Sequence, residues 1–350
     1  MTAPLKIGII GAGRMGITHY SIANAHEDVT ITSVADPSKL ITTMLGKYAK
    51  IGTYKDYKGL LKNEELDGVL VCTPPAFNPD ILQAVLEQRL HTFCEKPFVL
   101  NAADGARFAA DFDAAGLINQ VGYVNRWNDM FTRAKVLVED GLIGEPLRFR
   151  SEMFSPTIIR DVGDAGWRAS HANGGGAVFE MASHAIDLIA YFFGAPERVG
   201  GTSLSKVYSK QVEDIVSTSL FYDSGLSGTM YVNWSDASFR KPTNKFEVFG
   251  SAGKLQVDQH GAKIHLKEAS AKHGLKEGWN QLYITDVHTN VPFYVRGIEY
   301  TAQIYDFVAA IREGKPVRCS FKHAAANLRV IEQLFADDAA IRRQSAGAAA

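Results

Sequence analysis

Cysteine is scarce in this chain of 350 residues, which has only Cys72, Cys94 and Cys319 and no CxxC pair. We therefore expect no disulfide framework and a reducing, cytoplasmic environment. The chain also has no large excess of either charge, because its 37 Lys and Arg residues nearly balance its 38 Asp and Glu residues. A net charge of -1 gives no electrostatic reason to expect nucleic acid or an anionic membrane as a partner.

Long apolar runs are also missing, so we expect no membrane span. The N-terminus enters a short apolar strand without a basic start, which argues against a secretory signal peptide. The histidines show no metal-ligand spacing with a third ligand nearby, and we predict no metal site. At this length two domains are the default.

A glycine-rich turn follows the first strand. Leu5 to Ile10 is β-rich, Gly11-Ala12-Gly13-Arg14-Met15-Gly16 matches GxGxxG, and a helical pattern runs on to about Asn24. A strand, this turn and a helix form the context of a dinucleotide fingerprint. Gly11 allows the tight turn, Gly13 lets a pyrophosphate approach, and Gly16 lets helix and strand pack closely. The free N–H groups of the helix N-terminus then favour phosphate.

Asp36 ends a second strand, Val29 to Ala35, twenty residues beyond Gly16. An acidic side chain at this place accepts hydrogen bonds from the adenosine ribose and repels a 2′-phosphate. The position therefore favours NAD over NADP, although Asp36 could instead be a turn residue before Pro37.

Strands and helices go on alternating to about residue 125, which predicts a doubly wound parallel sheet. Such sheets bind ligands beyond the carboxyl ends of their strands. The following residues are expected at those ends: Gly11, Asp36, Thr73 with Pro74, Glu95 with Lys96, and Asn125. Lys96 is the most informative, because a lysine beside a nicotinamide can hydrogen-bond a substrate hydroxyl and share its proton. The alternative is a surface lysine in a loop.

A second group of polar residues lies in Val178 to Leu188, which follows three glycines. Glu180 and His184 are four apart and share a helix face, and Asp187 lies close to it. Imidazole titrates near neutrality, and a carboxylate can hold its tautomer, so the pattern suits proton transfer. Glu180 and Asp187 are both candidates for that carboxylate. His19, one turn past Gly16, is expected to be packed instead.

The chain resembles the glucose–fructose oxidoreductase / inositol dehydrogenase / rhizopine catabolism (Gfo/Idh/MocA) family over nearly its whole length. The resemblance rests on the order and spacing of several segments, namely Gly11 to Gly16 with Asp36, Thr73-Pro74, Glu95-Lys96-Pro97, Gly122 to Arg126, Trp167-Arg168, Gly174 to Asp187 and Phe246 to Leu255. It implies a Rossmann domain, residues 1–123, and a substrate-binding and oligomerisation α+β domain, residues 124–350, with terminal helices that could pack back on the first domain. The second domain would carry a large open, mainly antiparallel sheet that often forms a dimer interface.

The resemblance also implies roles. Lys96 would assist catalysis, His184 would be the acid/base, and Trp167 and Arg168 would lie near the nicotinamide. The position of Glu180 is usually Asp in the family, and this departure leaves the role of Glu180 open. Arg126, Arg160, Arg168 and Asn173 are candidate substrate contacts.

These features together predict an NAD-dependent oxidoreductase acting on a sugar, polyol or sugar derivative, which forms a homodimer or homotetramer. Two other functions stay open: an NAD-dependent glycosidase that acts through transient oxidation, and a non-catalytic sugar or NAD sensor.

Overall fold

The structure is a computed structural model that describes residues 3–161 and 166–348. The chain divides into two compact units. The first comprises Met1–Val124 and Asn290–Ala326, and the second comprises Asn125–Thr289 and Asn327–Ala350.

The N-terminal part of the first unit alternates strands with helices. Its elements are β1 (Leu5–Ile10), α1 (Arg14–Ala23), β2 (Val29–Ala35), α2 (Lys39–Tyr48), β3 (Gly52–Tyr54), α3 (Tyr57–Asn63), β4 (Gly68–Val71), α4 (Asn78–Glu87), β5 (His91–Cys94), α5 (Ala102–Ala114) and β6 (Asn119–Val121). A short 3-10 turn, Val124–Trp127, follows β6. Asn125 therefore lies in this turn and not on a strand.

The second unit begins with a helix and then consists mainly of strands. Its elements are α6 (Asp129–Glu139), β7 (Pro146–Phe154), α7 (Ser183–Phe193), β8 (Arg198–Ser205), β9 (Ile215–Phe221), β10 (Ser227–Asn233), β11 (Thr243–Gly250), β12 (Gly253–Asp258), β13 (Gly261–Leu266), β14 (Gly278–Tyr283) and α8 (Ile284–Val287). Two helices complete the chain, α9 (Ile298–Glu313) and α10 (Phe321–Ala348).

The sheet of the first unit is parallel throughout, in the order β3-β2-β1-β4-β5-β6. This confirms the predicted doubly wound Rossmann sheet. Its core joins apolar residues of β1, such as Ile7 and Ile9, to Phe93 of β5 and to Ile304 and Phe307 of α9. The carboxyl ends of β1, β2, β4 and β5 consequently form one edge, where a ligand of this fold binds.

The eight-stranded sheet of the second unit has the order β14-β13-β12-β11-β7-β10-β9-β8. All neighbouring pairs are antiparallel except β7 and β10, which pair in parallel. The expected open, mainly antiparallel sheet is thus confirmed. Along β11 burial alternates, so that Phe246 and Val248 face the core while Lys245 and Phe249 face outward.

By length and composition alone, one stretch of the second unit, His171–Phe193, could cross a membrane. Its most apolar window is 72% buried, which is the behaviour of a core helix. This core helix carries Glu180 and His184.

Candidate active site

In the glycine turn after β1, the backbone packs so closely at Gly11 and Gly16 that neither position has room for a side chain. Gly11 has φ +92°, and a Cβ on it would lie 2.8 Å from the carbonyl oxygen of Cys72. A Cβ on Gly16 would lie 1.9 Å from the carbonyl oxygen of Gly11. Gly13 is different, because no heavy atom lies within 4 Å of its Cβ position. This open side is where a pyrophosphate approaches the backbone in a dinucleotide site.

Helix α1 offers the donors that such a ligand needs. It begins at Arg14, which is exposed, and its N-cap residue Gly13 provides no side-chain hydrogen bond. The N–H groups of the first turn, which includes Met15, therefore have neither a side-chain cap nor an intrahelical acceptor. They carry the positive end of the helix dipole and suit an anionic phosphate.

Asp36 connects the glycine turn to the next loop. Its Oδ2 accepts the N–H of Ala12 at 2.7 Å, and its Oδ1 accepts the N–H of Ser38 at 2.8 Å. The carboxylate is held at the end of β2 with lone pairs left on both oxygens, since each carboxylate oxygen has two. The predicted role of Asp36, accepting hydrogen bonds from ribose hydroxyls, requires such free lone pairs.

The ends of β4 and β5 are linked through Asn78. Its Oδ1 accepts from the Thr73 hydroxyl at 2.6 Å, and its Nδ2 donates to the carbonyl oxygen of Phe98 at 2.8 Å. Asn78 is the fully buried first residue of α4, and Phe77 is the N-cap residue of that helix. The hydrogen bonds of the Asn78 amide link the turn that contains Pro74 to the turn that contains Lys96. The peptide bond between Lys96 and Pro97 is cis.

Glu95 is paired with the residue that we expected to be merely packed. His19 is fully buried, and its Nε2 lies 2.6 Å from Oε1 of Glu95. The other carboxylate oxygen, Oε2, accepts the N–H of Lys96 at 3.2 Å. Sequence reasoning missed this pair, because 76 residues separate its members and only the fold brings α1 beside β5.

In the second unit, one buried helical segment contains two partly exposed residues. From Gly174 to Ile189 every residue is buried except Glu180 and His184. The segment begins with a π turn, Val178–Ala182, which continues into α7. The predicted helix is therefore present, but Glu180 lies on the wider turn. Single π turns occur often at functional sites.

Glu180 is bound to one of the predicted cofactor contacts. Its Oε2 accepts from Nε of Arg168 at 3.0 Å, and the guanidinium of Arg168 lies 4.6 Å from the centre of the Trp167 ring. The carboxylate side chain is 16% exposed and that of Arg168 48%. The structure thus brings together three of the predicted site residues, Glu180, Arg168 and Trp167.

Asp187 and Arg126 form a buried ion pair. The Nε and Nη2 atoms of Arg126 donate to both oxygens of Asp187 at 2.8 to 3.1 Å, and Asn327 donates to the same carboxylate at 2.8 Å. Asp187 is 1% exposed and Arg126 3%. This geometry favours a structural role for both side chains, rather than the histidine-orienting role and the substrate contact expected from the sequence.

Glu213 fixes the start of the helical segment and was not singled out in the sequence. Its Oε1 accepts the N–H of Val178 at 2.7 Å, its carbonyl accepts that of Ala177 at 3.0 Å, and its Oε2 lies 2.5 Å from Nε2 of His171. The carboxylate is buried. It therefore anchors both the first turn before Glu180 and the loop that carries the candidate substrate residues.

The adjacent Asp214 holds the loop between β8 and β9. Burial acts to raise the pKa of Asp214, but hydrogen bonds from the Ser209 hydroxyl, the Trp234 indole and the backbone outweigh it and lower the pKa. This loop lines a cleft with Trp167 and Arg168, to which it contributes Lys210 and Gln211.

The remaining predicted substrate contacts, Arg160 and Asn173, lie between β7 and the helical segment that begins at Val178. Arg160 is exposed, and so is Asn173, which lies in the 3-10 turn His171–Asn173. Asp164, a polar residue that the sequence places between Arg160 and Trp167, lies outside the described residues. Within 3–161 and 166–348, no group of three or more His, Cys, Asp or Glu is arranged to hold a metal ion.

Two family models match the chain. Residues 5–123 match the oxidoreductase family with an NAD-binding Rossmann fold, and residues 131–256 match the C-terminal domain of the GFO/IDH/MocA proteins. The chain belongs to the Gfo/Idh/MocA family, and its first unit contains an NAD-binding Rossmann domain. The glycine turn fits this cofactor, since a Cβ on Gly13 would fill the space that the pyrophosphate needs.

Named relatives are similar over most of their length. Myo-inositol 2-dehydrogenase of Thermotoga maritima is 29% identical over 73% of this chain and 75% of its own. Levoglucosan dehydrogenase of Pseudarthrobacter phenanthrenivorans is 25% identical over 91% and 92%. A solved levoglucosan dehydrogenase in complex with NADH superposes with a TM-score of 0.86 at 20% identity, covering 96% of this chain and 97% of that one, which shows the shared fold.

Replacing Arg126 tests whether its role is structural, through the buried pair with Asp187, or whether it contacts the substrate. Arg126→Met leaves the buried Asp187 carboxylate without its cation and should lower the free energy of unfolding by about 3–5 kcal/mol, measured by urea denaturation. The double change Arg126→Met with Asp187→Leu should recover most of this loss. Arg150→Met, which removes a 55% exposed cation, serves as control and should cost less than about 1 kcal/mol. A stable Arg126→Met protein with a raised KM would instead support the substrate contact.

Proposed function

We propose that the protein is an NAD-dependent dehydrogenase that transfers hydride between nicotinamide and a secondary alcohol or ketone of a sugar, polyol or sugar derivative. The observation that carries the proposal is that, between Gly174 and Ile189, Glu180 and His184 are the only two residues that are not buried. A histidine with a carboxylate one turn away suits the proton transfer that accompanies oxidation of an alcohol or reduction of a ketone. The inositol and levoglucosan dehydrogenases among the relatives support the substrate class.

Lys96 and His184 divide the work on the reacting oxygen in this proposal. NAD, when bound, supplies the hydride acceptor. His184 takes the hydroxyl proton during oxidation and returns it during reduction. Lys96, at the carboxyl end of β5, hydrogen-bonds the same oxygen and stabilises its developing negative charge.

Glu180 is the better candidate for tuning His184. It is partly exposed on the same helical segment, whereas the carboxylate of Asp187 is committed to Arg126 and Asn327. Arg168 neutralises Glu180 and holds it beside Trp167, so changes in the long loop would reach the proton-handling residues through this ion pair. The exposed Arg160 and Asn173 stay candidates for substrate contacts.

NAD is preferred over NADP because of Asp36. Its carboxylate is fixed by Ala12 and Ser38 and cannot swing away from the ribose without losing both hydrogen bonds. A 2′-phosphate would meet this negative charge at short range. A cytoplasmic location stays a prediction of the sequence.

The direct test is nicotinamide absorbance with the purified full chain, NAD or NADP, and a panel of inositols, sugars, anhydrosugars and sugar acids. We expect reduction of NAD with one substrate class and a kcat/KM at least about tenfold lower with NADP. Turnover that releases a glycosidic group without net NAD reduction would mark a glycosidase instead. Binding of both NAD and a sugar without turnover would mark a sensor.

Substitutions of Lys96 and His184 should change the kinetics in different ways. Lys96→Ala should lower kcat by about 10² to 10⁴ across the pH range while the Kd for NAD changes little, because it removes stabilisation of the reacting oxygen. His184→Asn should also remove the limb of the pH–rate profile near neutrality. His260→Asn, an exposed histidine of the same unit, is the control and should keep that limb. Full turnover in Lys96→Ala, or an intact limb in His184→Asn, would move the role elsewhere.

Self-association through the second unit's sheet is also proposed. Its outward face carries a row across four strands, Phe249, Lys254, His265 and Trp279, in which Phe249 is 51% and Trp279 54% exposed. A second copy of the chain would cover such a mixed aromatic and charged face in a two-fold interface. Sedimentation equilibrium should show a dimer or tetramer that Phe249→Glu with Trp279→Glu dissociates and the control Tyr48→Glu does not. A monomeric unmodified chain would overturn this.

A further inference from the structure

The pair formed by His19 and Glu95 is the strongest feature that the proposed reaction leaves unused. The imidazole is completely buried, with the Phe93 ring edge-on at 5.0 Å and the Tyr300 ring at 6.5 Å. Its Nε2 lies 2.6 Å from Glu95, whereas its Nδ1 is buried with no hydrogen-bond partner in the described part of the chain.

This asymmetry assigns the proton of His19. A proton on Nδ1 would be a buried donor without an acceptor, which costs about 1–3 kcal/mol and more if the ring is charged. The neutral tautomer with the proton on Nε2 avoids this cost and donates to Oε1 of Glu95. A His19 ring in this tautomer is a neutral donor, and such a pair leaves the negative charge on the carboxylate.

The carboxylate of Glu95 is held from several sides. Oε2 accepts the N–H of Lys96, and Gly122 lies so close that a Cβ there would be 3.0 Å from Oε1. The side chain is nevertheless 14% exposed, so it reaches the surface at the carboxyl end of β5. The first unit therefore presents a fixed anion at this edge.

The strand order of the sheet indicates which part of a bound dinucleotide lies next to the Glu95 carboxylate. The glycine turn follows β1 and binds the pyrophosphate, while Asp36 follows β2 on one side and receives the adenosine ribose. The nicotinamide half must then extend to the other side, over β4 and β5. The oxidised nicotinamide ring carries a positive charge, and the reduced ring carries none.

We propose that Glu95, held by the neutral donor His19, is a charge sensor for the cofactor's redox state. It binds the oxidised ring better than the reduced one and so favours the NAD⁺ complex over the NADH complex. His19 is a positioning residue, because it acts only through Glu95. The inference rests on dinucleotide binding by the first unit and does not depend on the substrate.

The test is the ratio of the Kd values for NADH and NAD⁺, measured by calorimetry on the full chain without substrate. Glu95→Gln keeps the shape and removes the charge, so it should raise the Kd for NAD⁺ about tenfold and change that for NADH by less than about threefold. His19→Phe should shift the ratio in the same direction, and His19→Gln, which retains a donor, should restore it. If the Phe variant does not fold, His19→Leu replaces it.

The control is Glu65→Gln, which removes a 97% exposed carboxylate just before β4, at the opposite edge of the same sheet. Its ratio should equal that of the unmodified chain. An unchanged ratio in Glu95→Gln or in the folded His19 variant would overturn the proposal, as would equal changes in both Kd values. None of these outcomes affects the substrate panel, so the sensor and the dehydrogenase can fail separately.

Discussion

Carboxylates that accept main-chain N–H groups hold the turns on which the candidate site depends. Asp36 binds the N–H of Ala12 and Ser38, Glu95 that of Lys96, and Glu213 that of Val178. Hydrogen bonds from an N–H to an ionised acceptor are about twice as strong as those between neutral groups. The loops with most of the candidate chemistry are therefore fixed by charge, while the strands and helices behind them are fixed by apolar packing.

The parts that the sequence could predict are those with a local signal. The glycine turn, Asp36 at the end of β2 and Lys96 at the end of β5 each follow a β-rich run, so alternation alone places them on one edge. The helix with Glu180 and His184 is visible in its apolar spacing. The family resemblance added the open sheet of the second unit, in which β7 pairs with the distant strands β10 and β11, a pairing that no local pattern encodes.

The parts that could not be predicted are interactions between distant residues and departures from regular geometry. Glu213 lies 35 residues from the helix start that it anchors, and His19 lies 76 residues from Glu95. The same limit applies to Arg126 and Asp187, which as separate residues suit a substrate contact and a proton relay but neutralise each other in the fold. The π turn at Glu180 is hidden because a single wide turn does not disturb the apolar pattern around it.

The first unit is assembled from two stretches of chain separated by 165 residues, since it resumes only at Asn290 after Val124. Ile304 and Phe307 of α9 complete the apolar core around Ile9 and Phe93. During synthesis, part of the core of this sheet must therefore stay uncovered until the residues that follow Asn290 have left the ribosome. A fragment that ends after β6 would keep the glycine turn and Asp36 and still lack the helix that closes its core.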